Sequence, residues 1–289
     1  MSIAKPKLRM EQASTPAARH SILNPHQPGS IFEGGGAMGQ LMASIDWAGT
    51  PLGAVENWPQ SLKTALSVLL KQRAAVFIFW GPEHVQFYND AYRPILGTKK
   101  HPGAMGQRGA ECWPEIWDII LPMVEAVHRG ESTAVEDGLL LIDREGYLEE
   151  GYYTYTYSPI AEESGTVGGV FCVVYDTTAR VIGERRLRTL RDLASRTITK
   201  DAEEACRLAA ATLSENSYDV PFAALYLYDP SRKSARLAGA AGIDAGSAAA
   251  PHEIAFEGDL SLVARFASLG RTTEIPDLDR LRVPGRESR

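Results

Sequence analysis

No run in this 289-residue chain approaches the ~20 consecutive apolar residues that cross a bilayer. The best candidates, AAVFIFW and VGGVFCVVY, are only as long as strands. The first 30 residues lack the apolar centre of a secretory signal, so a cytoplasmic chain with no membrane partner is expected. There is no long basic run and the formal charge is −6, which leaves the counterion release behind nucleic-acid affinity without a footprint. No nucleic-acid partner is expected either. Cysteine is scarce: Cys112, Cys172 and Cys206 are widely spaced and odd in number, which argues against a disulfide framework and a CxxC metal knuckle. No GxSxG elbow, phosphoacceptor box or Gly-rich ATP lid is visible, so no catalytic residue is assigned.

What is present is 44% hydrophobic and 23% charged residues, a balance able to bury real cores, over a length suited to two ordinary domains. Residues 1–33, rich in Ser, Ala, Pro and Gln, read as a flexible tail. GGGAMG at 34–39 satisfies GxGxxG through Gly34, Gly36 and Gly39, but only SIF precedes it where a dinucleotide site needs a strand, so it reads as a loop entering a helix. Residues 34–74 form a helical leader. Within it, Leu62, Ala65, Leu66, Leu69 and Leu70 recur at helical spacing and require an apolar surface to cover.

Strands follow. AVFIFWG and VQFYN flank PEH as a hairpin, and FYNDAYRPILG then bends at Asn89-Asp90, both capping types, into a short helix. WPEIWDIILPMVEAVHRGE reads as a longer helix ending at Gly130. TAVEDGLLLID, YLEEGYYTYTYSPI and VGGVFCVVYDTT, separated by DREGY and EESGT, form an antiparallel meander. The expected fold class is α+β: a five-stranded antiparallel sheet with helices on one face. After Thr178 the chain turns charged and helical, with Leu187, Leu190 and Ala194 near coiled-coil spacing; a hairpin around PSRK and a helix in DLSLVARFASLG come later.

These motifs resemble the PAS family of sensory domains. YNDAY (88–92) resembles the family's strand end and first small helix, HRGE (128–131) the end of its long helix, and Asp176 with Thr178 its Asp-x-Thr junction. DWAGTPLGAVENWPQSL and GVFCVVYDTTARVIGERRLRTLRDLA are similar to the leader and the PAS-to-GAF connection of bacterial PAS-GAF sensor histidine kinases. The resemblance implies a PAS domain at 75–180, a linker helix with the first GAF helices at 181–215, and a partial GAF-like α/β domain at 216–289. The later central strands of that domain are expected to be missing, since TTEIPDLDRLRVPGRESR has no apolar alternation.

The resemblance further implies a sensory input module of a two-component, histidine-kinase-type protein, with a kinase or response-regulator partner. It would be a homodimer through its linker helix and PAS sheet. Signals would pass through Asp176, Thr178, Leu187, Leu190 and Ala194. A chamber between sheet and helices would hold a small apolar ligand, with Phe77, Phe79, Phe87, Tyr92, Trp117, His128 and Phe171 as candidate lining; strand parity leaves open which of them point inward. Cofactor identity stays open and none is required. Haem would use His128, at the fraying end of its helix; flavin of the light-oxygen-voltage type needs a cysteine in an NCRF-like helix, which is lacking; bilin attachment finds no cysteine before Cys112. All three are disfavoured. The alternative is a PAS scaffold that dimerises or binds protein and senses nothing.

Overall fold

The computed structural model describes residues 31–229, 231 and 234–255. The N-terminal tail up to residue 30, the helix candidate in DLSLVARFASLG and the strand-poor end at 272–289 lie outside the described residues. The chain divides into two compact units, the first ending at Asp176 and the second beginning at Thr177.

In the first unit, helix α1 (Gly36–Ser44) and helix α2 (Gln60–Lys71) form the leader. Five strands follow: β1 (Ala75–Trp80), β2 (Val85–Tyr88), β3 (Thr133–Asp143), β4 (Leu148–Ala161) and β5 (Val167–Asp176). They form one antiparallel sheet in the order β2-β1-β5-β4-β3. Between β2 and β3 lie α3 (Arg93–Lys100), α4 (Gly109–Cys112) and α5 (Trp117–His128), which pack on one face. The DREGY and EESGT turns connect β3 to β4 and β4 to β5 as antiparallel hairpins require.

The leader's stripe is buried as helical spacing demands: Leu62, Leu66, Leu69 and Leu70 all enter the core, and α2 packs on β1 and β2. Trp47 stacks on Phe87 at 5.1 Å, and Trp58 meets the same ring edge-on at 5.6 Å. The β1–β2 end of the sheet is therefore covered on both faces. The glycine motif serves this packing, because a side chain on Gly39 would lie 2.4 Å from the Phe32 carbonyl oxygen.

Asn89 joins three parts of the unit. Its side-chain oxygen accepts from the Val76 and Tyr92 amides, each at 3.1 Å, while its Nδ2 donates to the Gln72 and Ala74 carbonyls at 3.1 and 2.8 Å. The residue is 1% exposed. One side chain thus satisfies backbone groups at the end of α2, the start of β1 and the turn into α3, which would otherwise be buried unpaired.

The second unit holds α6 (Thr178–Arg196), α7 (Ala202–Ser214), β6 (Ala223–Asp229), β7 (Ser234–Ala241) and β8 (Glu253–Ala255). The strands make an antiparallel sheet in the order β6-β7-β8, with α7 packed on β7. Asp219 pins α6: it accepts from Arg185 Nε at 2.7 Å and from Arg186 Nε at 3.0 Å, and Asn216 donates to both Asp219 and Thr189. The Arg185 guanidinium holds the Asp219 carboxyl well below the usual carboxylate range.

Candidate functional site

Strand register decides what the sequence left open. Phe77 opposes Cys172 and Phe79 opposes Val170, while Tyr157 and Tyr155 oppose Cys172 and Val174. With two residues per pleat, these side chains share the face that meets α3–α5. Of these, Phe77, Phe79, Tyr155, Tyr157, Cys172 and Val174 line a cavity with Tyr92 and Ile95 from the helical side, Trp113, Ile116 and Ile120 beyond, and Leu140, Ile142 and Tyr153 from β3 and β4. In this wall the Phe77 ring centroid lies 4.7 Å from Phe79, 5.1 Å from Tyr92 and 6.0 Å from Tyr157. The space left open is about 30 Å³, room for no more than two water molecules.

Of the seven candidate lining residues, Phe77, Phe79 and Tyr92 form the wall. Phe87 and Phe171 do not. They pair with Ile78, one on each side of β1, so pleating sends both to the opposite face, where Phe87 meets Trp47 and Trp58. Trp117 lies beside the cavity rather than in its wall, with its ring 5.8 Å from Phe79 and 5.6 Å from His84. His128 is also outside: its ring is 5.4 Å from His84, and its buried Nε2 meets no protein partner. Burial, reinforced by His128, pushes the His84 imidazole below its ordinary pKa, while Glu83 and Glu125 pull the other way.

The sequence reading missed the tyrosines of β4 and Trp113. GYYTYTYSPI carries the signal, because Tyr153, Tyr155 and Tyr157 stand two apart and must share a face. Trp113 is set by a polar network: its indole donates to Gln86 Oε1 at 2.6 Å, and Gln86 is fully buried. Lys100 lies over the same ring at 4.8 Å, donates to the Cys112 carbonyl at 2.6 Å and pairs with Glu115 at 2.8 Å. Burial pushes the Cys112 thiol up to about 12 and the Cys172 thiol well above its usual value, so both behave as packed apolar groups.

The cavity's rim is fastened. Thr98 donates through its amide to Glu145 at 3.1 Å, Lys99 N donates to the Arg144 carbonyl at 3.1 Å, and Lys99 pairs with Asp143. These contacts tie α3 to the β3–β4 turn.

Asp176 ends β5 and Thr178 begins α6, with one residue between them. On α6, Leu187 and Leu190 are 67% and 61% exposed, and Ala194 is exposed too. The three stand at i, i+3 and i+7 and make one apolar stripe open to water.

Residues 69–182 match the family model described as PAS fold, and this segment is a PAS domain. Among solved structures, the chain is similar to a sensory box sensor histidine kinase from Vibrio cholerae, at 22% identity over 40% of this chain and 90% of that one, with a TM-score of 0.27. It is similar to the Rhodobacter sphaeroides LOV protein at 12% identity, covering 53% and 92% of the two chains, TM-score 0.35. A third is an RNA-binding light-oxygen-voltage receptor, at 16% identity and TM-score 0.34 over 48% of this chain; only 39% of that receptor is spanned. Among the described residues no helix is long and apolar enough to cross a membrane.

Proposed function

We propose that this chain is a sensory input module of a two-component protein of the histidine-kinase type. The cavity receives a small ligand, and α6 of two paired copies carries the response. The observation that carries this reading is the continuity of β5: it contributes Cys172 and Val174 to the cavity wall and reaches α6 after a single residue. Displacing the wall displaces a strand whose end is the start of the helix, and a helix pair converts that into a change of register or rotation. The open Leu187, Leu190 and Ala194 stripe supports pairing with a second copy. The two helices and the β6–β7–β8 sheet of the second unit support a GAF-type start, in keeping with the resemblance of the connecting sequence. Catalysis belongs to a partner or output domain, and the net charge of −6 favours protein over nucleic acid as that partner.

One observation favours the scaffold reading, in which the domain pairs and senses nothing: about 30 Å³ of open space holds no metabolite without movement of the wall. Native mass spectrometry of the full chain, purified without denaturation, separates the two. Sensing predicts a bound small molecule released on collisional activation, or saturable binding from a metabolite extract. A dimer that carries and takes up nothing supports the scaffold and contradicts the sensing proposal.

A further inference from the structure

Two imidazoles meet outside the cavity. His84 closes the turn between β1 and β2, and His128 is the last residue of α5, yet their ring centroids lie 5.4 Å apart. Neither ring hydrogen-bonds to the protein among the described residues, and His128 Nε2 is buried. Trp117 and Phe79 flank the His84 ring at 5.6 and 6.4 Å. The backbone fixes this placement. His84 has φ 50°, a left-handed conformation that histidine adopts more readily than most residues but still at a cost. Its amide donates to the Gly81 carbonyl at 3.1 Å and its carbonyl accepts from the Gly109 amide at 2.9 Å, which pins the chain on both sides of the ring.

A charge on this pair finds little to balance it. Glu83 on the turn and Glu125 on α5 are the carboxylates that act on His84, and both are exposed. Glu83 is already paired with Arg108 at 2.5 Å, and Arg108 is shared in turn with Glu111. Desolvation and the facing imidazole outweigh both carboxylates and hold His84 below its ordinary pKa. A proton on His84 therefore sets a cation in a half-buried aromatic site against a second imidazole.

We propose that the His84–His128 contact is an acid-sensitive clasp: with both rings neutral it holds the β1–β2 turn against the end of α5, and protonation of His84 parts them. This makes the proton an input to the domain, whether or not the cavity takes a ligand. Helix α5 also supplies Ile120 to the cavity wall, so release of its end reaches that wall from outside. The sign follows from linkage. Because the folded-state pKa of His84 is depressed, the clasp's stability is full above the unfolded value of about 6.5 and is lost as pH falls through the folded value.

The test titrates the full chain between about pH 7.5 and 5.5, following histidine Cε1 shifts and amide exchange corrected for its intrinsic rate. The His84 midpoint is expected below that of an exposed histidine. Exchange at residues 83–86 and 126–131 is expected to quicken on acidification by about threefold or more relative to the rest of the domain. His84→Asn removes the titrating ring and suits the same φ, so in that variant these two segments should respond to acid no more than the rest. An equal acid response in His84→Asn and wild type, or a wild-type His84 midpoint at the ordinary value, overturns the clasp. Should His84→Asn fail to fold, His128→Gln decides: taking away the second imidazole raises the His84 midpoint, and an unmoved midpoint overturns the pairing.

Discussion

Asn89→Ala is expected to lose about 3–5 kcal/mol of stability, seen as a lower urea midpoint with an unchanged slope. The size follows from what is left behind. Two backbone amides and two carbonyls lose the side chain that satisfies them, in a position 1% exposed where water does not substitute. Each orphaned group costs about 1–3 kcal/mol; the total falls below the sum because Tyr92 N also reaches the Asn89 carbonyl at 3.1 Å. Asn89→Asp separates the two halves of the role. It keeps an acceptor for Val76 and Tyr92 but turns a carboxylate toward the Gln72 and Ala74 carbonyls, so it too is destabilising. A loss under about 1 kcal/mol for Asn89→Ala would show that the bend is held by something else.

Gly97→Ala is the second large effect, at about 2–4 kcal/mol. Gly97 interrupts α3 with φ 64° and ψ −168°, a backbone region open to glycine and almost closed to other residues. A Cβ there would also lie 2.5 Å from the Arg144 carbonyl oxygen. Both faults fall on the contact between α3 and the β3–β4 turn, so amide exchange should quicken first at residues 143–148, at the cavity rim. Gly103→Ala is the control. Its nearest neighbour is 3.6 Å away, an ordinary contact, and its stability should change by less than about 0.5 kcal/mol. Similar effects at both glycines would remove the strain argument.

The five-stranded layer was legible because each turn carries its own chemistry, and DREGY and EESGT leave little choice of where β3, β4 and β5 end. Asn89 was legible as a cap, although its reach to Gln72 and Ala74, more than ten residues back, is a tertiary fact with no local signal. The cavity wall was legible only where a strand alternates. In β4, Tyr153, Tyr155 and Tyr157 are buried while Thr154 and Thr156 are not, so one face declares itself. In β1, Val76 through Trp80 are all buried, because the leader covers one face and the cavity helices the other. A strand apolar on both sides has no readable parity. That is why Phe77 and Phe79 could not be told from Phe87 and Phe171 before the register was known. Trp113 escaped for a different reason: WPEIW reads as the start of a long helix, whereas the indole is placed by buried Gln86 on a strand far away in sequence. Leu187, Leu190 and Ala194 were found by spacing alone, and their exposure leaves the stripe free to pair.

Pairing through α6 is the step on which the sensory account turns, and the mass of the full chain in solution tests it most directly. Size-exclusion chromatography with light scattering should give twice the 31.5 kDa chain mass for the wild type, and the single-chain mass for Leu187→Glu, Leu190→Glu with its circular dichroism unchanged. The same mass for both proteins, whether one chain or two, would contradict it.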